Sequence, residues 1–99
     1  METNNVLDQL TFSENSPVKT MLLQHEHFGL ARIALGKGTK IPPHQGGHAI
    51  FFLVLQGRGI FTCEEENVEL TQNQYLYIKA NETRGIQALE DLVVFVVKG

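Results

Sequence analysis

Two histidines, His44 and His48, have the spacing most suggestive of chemistry in this sequence. Side chains four positions apart on a β-strand project from the same face, so both imidazoles can point into one cavity. Imidazole binds divalent metals such as Zn²⁺, Ni²⁺ and Fe²⁺. The intervening Gly46 and Gly47 can bend or bulge the strand and separate the rings. We favour an interpretation in which His44 hydrogen-bonds inside the cavity and His48 lies at its mouth, because a catalytic metal needs about three protein ligands.

A second pair, His25 and His27, flanks Glu26. The three residues separate two β-type runs, which is typical of a hairpin tip, although a third imidazole from this tip would complete a zinc or nickel site with the first pair. The single cysteine, Cys63, precedes the acidic run Glu64–Glu66, which disfavours its thiolate. The sequence contains no glycine-rich phosphate loop, no Gly-x-Ser-x-Gly elbow and no Cys-x-x-Cys motif. We therefore predict no catalytic residue.

The elements that position these residues are predicted to be short β-strands. Turn residues separate the runs at intervals of roughly eight to twelve residues, and no segment shows a helical stripe, which favours an all-β sandwich or barrel. The tract Gly36–Pro43 contains two glycines and two prolines and excludes a helix. We interpret residues 1–17 as an N-terminal arm or edge segment and residues 18–99 as one barrel domain. The predicted strands are Val18–Gln24, Phe28–Leu35, Ala49–Leu55, Ile60–Cys63, Val68–Leu70, Tyr75–Ile78, Thr83–Ala88 and Leu92–Val97.

Two of these runs are apolar on both alternating faces, namely Ile50–Leu55 and Leu92–Val97. A strand with one face in water alternates apolar and polar residues, so a doubly apolar strand must be covered on both sides. The barrel interior covers one face. In a chain without helices, a second sheet or a second copy of the protein is the expected cover for the other, and we predict a homodimer formed by sheet packing.

Composition limits the remaining function classes. The chain of 99 residues fits one domain, with a net charge of −3 and eight scattered basic residues that offer no row of cations for nucleic acid. The N-terminus lacks the basic and apolar regions of a signal peptide. The longest apolar runs are too short to span a membrane, so no membrane association is expected. With one cysteine and no intramolecular disulfide, we expect a cytoplasmic protein.

The order and spacing of two motifs resemble the cupins, whose fold is a double-stranded β-helix or jelly-roll barrel of the RmlC-like type. The first cupin motif places five residues between a glycine and a histidine, as between Gly38 and His44 here, and six residues before a closing glycine, as between Ile50 and Gly57. Residues 73–84 are similar to the second motif. With the flanking strands, the resemblance covers about residues 18–97 and implies a single small cupin barrel.

The resemblance also implies a dismantled metal site. Cupins typically bind metal through three histidines and one glutamate. Of these four positions, only the one occupied by His44 keeps its metal-binding residue here. The position of the second histidine holds Gly46, that of the glutamate holds Ile50, and that of the third histidine holds Arg84. A guanidinium cannot ligate a metal and repels a divalent cation. The usual metal-dependent chemistry of the family is therefore expected to be lost.

Arg84 replaces an inward-pointing histidine and permits two interpretations. Inside an apolar barrel, a guanidinium can bind a carboxylate or phosphate bidentately and so act as an anion hook. Alternatively, the side chain bends toward solvent or pairs with Glu82 or Glu90. An inward-pointing arginine must have some partner, because an unpaired buried charge is costly.

These observations favour a binding protein that holds a small, anionic or amphipathic molecule in the barrel, with no cofactor. Two alternatives remain: a metal-dependent isomerase or dioxygenase using Zn, Ni, Fe or Mn at His44 and His48, and a dimeric interaction or structural protein. The predicted ligand-binding residues combine polar anchors with apolar wall residues and one tyrosine. They are His44, His48, Ile50, Phe52, Val54, Tyr77 and Arg84.

Overall fold

The β-type runs form nine strands in the computed structural model, which describes residues 1–99. The chain contains no helix, and so the all-β prediction is confirmed. No helix capable of crossing a membrane is present. The strands are β1 Val18–Gln24, β2 Gly29–Leu35, β3 Lys40–Gln45, β4 Ile50–Gln56, β5 Arg58–Cys63, β6 Glu66–Thr71, β7 Tyr75–Ile78, β8 Thr83–Ala88 and β9 Leu92–Lys98.

The strands form two antiparallel sheets that pack face to face. The five-stranded sheet has the order β1-β2-β9-β4-β7, and the four-stranded sheet has the order β3-β8-β5-β6. Because neighbours in each sheet are mostly distant in sequence, the chain crosses repeatedly from one sheet to the other, as in a jelly roll. β1 and β3 are edge strands of different sheets and do not pair with each other.

The core lies between the two sheets and is built from alternate residues of the strands. β9 shows the pattern: Leu92, Val94 and Val96 face inward, and each is at most 3% exposed. Burial of such side chains contributes roughly 1.5–3 kcal/mol each to folding. The cluster comprises Ala31, Ile33, Leu35, Ile50, Phe52, Val54, Phe61, Leu70, Ile78, Ile86, Ala88, Leu92, Val94 and Val96.

The outer faces of the two sheets differ in polarity. On the four-stranded sheet, the residues that alternate with the core are mostly polar, as at Lys40 and its cross-strand partner Gln87. On β4 and β9 of the five-stranded sheet they are apolar, because these two strands are apolar on both faces as the sequence predicts. Phe51 pairs with Tyr77 and with Val97 there, and Tyr77 is 59% exposed.

Residues 1–17 form no strand, and part of this arm lies against the outer face of β1 and β2. Arg32, which is 3% exposed, donates from Nη1 to the carbonyl oxygens of Val6 at 2.9 Å and Asp8 at 2.8 Å. Its Nη2 lies 3.4 Å from the hydroxyl oxygen of Thr20. These contacts fasten the arm to the sheet through backbone carbonyls rather than through a carboxylate.

β3 is the one strand that the sequence pattern does not predict, because it contains Pro42 and Pro43. A proline lacks the N–H that a central strand needs and is confined to edge strands and bulges. β3 is an edge strand, because it pairs only with β8. It also contains an irregularity, because its register shifts between Ile41 and His44.

Candidate functional site

A cavity of about 620 Å³ lies between the two sheets and opens between the edge strands β1 and β3. Residues of both edges line it, including Lys19 and Met21 of β1 and Ile41 and His44 of β3. This volume lies within the range typical of small-molecule sites. The floor consists of buried apolar residues of both sheets, which are Ala31, Ile33, Ile50, Phe52, Ile86 and Val96.

The tip of the β1–β2 hairpin forms one side of the cavity mouth. The ring of His25 stacks on that of Phe28, with centroids 4.7 Å apart and planes 17° from parallel. The Nε2 atom of His27 lies 3.0 Å from a carboxylate oxygen of Glu26, and both side chains are largely exposed. The hairpin-tip prediction for this tripeptide is therefore confirmed, and the tip lies beside the cavity.

The loop after β3 forms the opposite side of the mouth through Gly46, Gly47 and His48. His44, at the end of β3, is exposed, and its Nδ1 lies 3.2 Å from the carbonyl oxygen of Pro42. The ring is thus held by its own strand rather than by the barrel interior. All four histidines of the chain line this one cavity.

The cavity lining is cationic although the whole chain is acidic. Lys19, Arg84 and Lys98 line it, and Glu26 is the single acidic side chain among the lining residues. The chain as a whole carries a net charge of −3. Clefts lined by one sign of charge concentrate ligands of the opposite sign. The charge distribution therefore favours an anion at the mouth.

Lys98 experiences this excess of positive charge directly. Burial of its ammonium group lowers the pKa of Lys98, and repulsion from Lys19 and then from Arg84 lowers it further. No carboxylate lies within 4.0 Å of the Lys98 ammonium to offset that repulsion. A bound anion would supply the missing opposite charge.

Arg84 points inward and is 4% exposed, but neither Glu82 nor Glu90 forms an ion pair with it. Its partners are backbone carbonyl oxygens. Nη1 donates to His48 at 2.7 Å, Nη2 donates to Lys79 at 3.0 Å and to Glu82 at 3.0 Å, and Nε donates to Glu82 at 3.2 Å. The guanidinium thereby joins the β7–β8 turn to the loop before β4.

The guanidinium of Arg84 occupies the space where a side chain at position 46 would lie. A Cβ atom built on Gly46 would be 2.8 Å from Cζ and 2.9 Å from Nη1 of Arg84. Both distances are shorter than ordinary van der Waals contact. A side chain at position 46 would therefore force the guanidinium to shift, and glycine at this position leaves the space that Arg84 occupies.

Cys63 lies beside Arg84, since the two are cross-strand partners in β5 and β8. Burial raises the pKa of the Cys63 thiol, and the nearby carboxylates of Glu82, Glu64 and Glu66 raise it further, against a smaller opposing effect of Arg84. The neutral thiol is thus favoured at neutral pH. The expectation that acidic neighbours suppress the thiolate agrees with this environment.

Five of the seven residues predicted to bind a ligand line the same cavity: His44, His48, Ile50, Phe52 and Arg84. The structure places the other two elsewhere. Val54 is fully buried in the core and does not line the cavity. Tyr77 faces outward, because it is the cross-strand partner of Phe51 rather than of the inward-facing Phe52.

Sequence reasoning missed Lys19, Phe28 and Lys98 as lining residues. For Lys98 a usable signal was present. It follows Val94 and Val96 at intervals of two, so strand alternation directs it toward the same inner face. For Lys19 and Phe28, the positions depend on how β1 and its hairpin approach β3, which no local pattern encodes.

A family model for the cupin domain matches residues 31–98, more than half of the chain. The chain belongs to the cupin family. Solved structures share its fold at low sequence identity. An RmlC-like cupin from Desulfovibrio desulfuricans is 20% identical with a TM-score of 0.91, covering 100% of this chain and 96% of its own.

Two further solved structures share the fold. A Thermus thermophilus protein is 19% identical, with a TM-score of 0.92 and coverage of 100% of this chain and 97% of that chain. A conserved Streptococcus pyogenes protein of unknown function is 18% identical, with a TM-score of 0.85 and coverage of 98% and 85%. At these identities the likeness shows the fold alone. No curated protein matches the sequence significantly.

The side chains of this cupin do not fit the metal typical of the family. Although four imidazoles line the cavity, no group of three or more His, Cys, Asp or Glu side chains is arranged to hold a metal ion. His44 and His48 supply two donors, one fewer than a catalytic metal usually requires. The permanent charge of Arg84 lies at the position of the third histidine.

Proposed function

We propose that this cupin binds a small anionic or amphipathic molecule in its barrel cavity without a metal. The observation that carries the proposal is the division of the cavity into an apolar floor and a cationic mouth. The floor favours an apolar group that leaves water, and the mouth favours a negative charge that stays partly hydrated. A molecule with an apolar group at one end and a negative charge at the other matches both regions.

Small carboxylates with an apolar body are therefore expected to stabilise the protein. At a concentration 100 times the dissociation constant, a ligand of the folded state adds about 2.7 kcal/mol to the free energy of unfolding. Thermal-shift measurements with hexanoate and benzoate, each beside its neutral amide, test this directly. We expect the acids to raise Tm more than the amides. If a broad screen of carboxylates and phosphates gave no stabilisation, the proposed function would be wrong.

We also propose that the protein is a homodimer that buries the outer face of its five-stranded sheet. Phe51, Leu53 and Phe95 are apolar and only partly buried there, and Tyr75 and Tyr77 are exposed. No exposed charge interrupts this part of the face, so two copies can meet without like-charge repulsion. A second copy also offers the same apolar chemistry, which suits a two-fold interface.

Tyr77→Glu is expected to convert the dimer to a monomer, because it places two carboxylates in an apolar interface. Light scattering coupled to size exclusion should give twice the chain mass of 11.1 kDa for the unaltered protein and a single chain mass for the variant. Gln87→Glu, on the polar outer face of the other sheet, is the matched control and should remain dimeric. A monomeric unaltered protein at micromolar concentration would contradict the dimer.

A further inference from the structure

Most N–H groups of Arg84 already form hydrogen bonds within the protein. A guanidinium has five N–H groups, and four hydrogen bonds to backbone carbonyls occupy four of them. The paired donors that bind a carboxylate bidentately are therefore not free. Arg84 gives the mouth its shape and part of its charge, but another cation must make the main contact with an anionic ligand.

Lys98 is positioned to make that contact. It is the last residue of β9, opposite Gly29 on one side and Ile50 on the other. Ile50 belongs to the core cluster, so residues in this row face the barrel interior. Gly29 has no side chain to cover the ammonium, and Lys98 lines the cavity at its mouth.

Lys98 also lacks a competing partner within the protein. The ion pairs of the chain join Glu26 to His27 and Arg58 to Glu69 and Glu90, and none includes Lys98. Its cationic neighbours, Lys19 and Arg84, repel its charged form. An anion placed at the mouth would relieve this repulsion and pair with the Lys98 ammonium.

Resting on the proposed function, we propose that Lys98 is the residue that binds the charged end of the ligand, and that the ligand is a monocarboxylate with a compact apolar body. A single ammonium is a point charge without the fork of a guanidinium, which suits one negative charge. The apolar body lies over Ile50 and Phe52, directly below the mouth. Arg84 is a positioning residue in this arrangement.

The test measures hexanoate and benzoate binding by isothermal calorimetry to the full chain and to Lys98→Met, which keeps the apolar stem and removes the charge. We expect Lys98→Met to weaken binding of both acids roughly tenfold to hundredfold and to leave binding of hexanamide and benzamide unchanged. Lys98→Arg should restore most of the affinity. Lys40→Met, on the outer face of the other sheet, carries the same change of charge and should bind like the unaltered protein.

The outcomes separate the two proposals. If the unaltered protein binds neither acid nor any other anion, the proposed function fails. If it binds the acids and Lys98→Met binds them equally well, the assignment of Lys98 is overturned while the cavity remains a binding site. Heteronuclear NMR of the lysine side chains gives a second readout: hexanoate should raise the pKa of Lys98. An unchanged Lys98 pKa in the bound protein would also overturn the assignment.

Discussion

Arg84→Met is expected to lower the free energy of unfolding by about 2–4 kcal/mol, measured by urea denaturation. The variant removes the guanidinium hydrogen bonds to the carbonyl groups of His48, Lys79 and Glu82, of which the Lys79 carbonyl keeps only a long bond from the Glu82 N–H. Removal of a buried charge partly offsets this loss, because the guanidinium no longer has to be desolvated. A domain of this size has roughly 5–15 kcal/mol in total, so the effect is large but compatible with folding.

A double-mutant cycle with Gly46→Ala distinguishes this network from a general effect of burial. In the unaltered protein, the added methyl group meets a guanidinium held by four hydrogen bonds and should cost about 1–3 kcal/mol. In the Arg84→Ala background the same methyl group should cost little. Gly47→Ala, whose Cβ would meet nothing within 4 Å, is the control. Additive effects of the two changes would show that residues 46 and 84 are not coupled.

Gly57→Ala is expected to destabilise the domain by about 3–5 kcal/mol, because backbone strain and a steric overlap act together at this position. Gly57 joins β4 to β5 with a φ of 83°, a left-handed conformation that alanine adopts only with strain. An added Cβ would also overlap the carbonyl oxygen of Asp91, which is backbone and cannot move aside cheaply. Urea denaturation and the yield of folded protein measure the effect.

Gly38→Ala separates the two causes, since Gly38 has a φ of 85° and open space around the position of a Cβ. It carries the conformational strain alone and should cost about 1–2 kcal/mol. Equal losses for the two variants would show that the close approach of Asp91 contributes nothing. The difference between them isolates that contact.

Strand identity could be predicted from sequence where the local pattern and the tertiary environment agree. β4 and β9 are apolar on both faces and occupy the centre of their sheet, and Val18–Gln24 and Tyr75–Ile78 have the predicted bounds. β3 could not be predicted, because its two prolines are tolerated only at an edge and the pattern does not show which strands are edges.

The candidate site was also predictable only in part. The family spacing placed His44, Ile50 and Arg84 together, and the structure brings them to one cavity. It could not show what Arg84 bonds to, because its carbonyl partners His48 and Lys79 present backbone atoms that carry no signature of residue type. Tyr77 was placed at the ligand for a different reason. Alternation along a strand does not show which face points inward until the register with β4 is known.

The prolines of β3 have a consequence for how copies of this protein meet. An unpaired strand edge normally invites another chain to extend the sheet by backbone hydrogen bonding. Pro42 and Pro43 have no backbone N–H, so β3 offers fewer donors at its unpaired edge, and its register with β8 is irregular between Ile41 and His44. Strand addition at this edge is therefore disfavoured. The gap between β1 and β3 therefore stays accessible to small solutes.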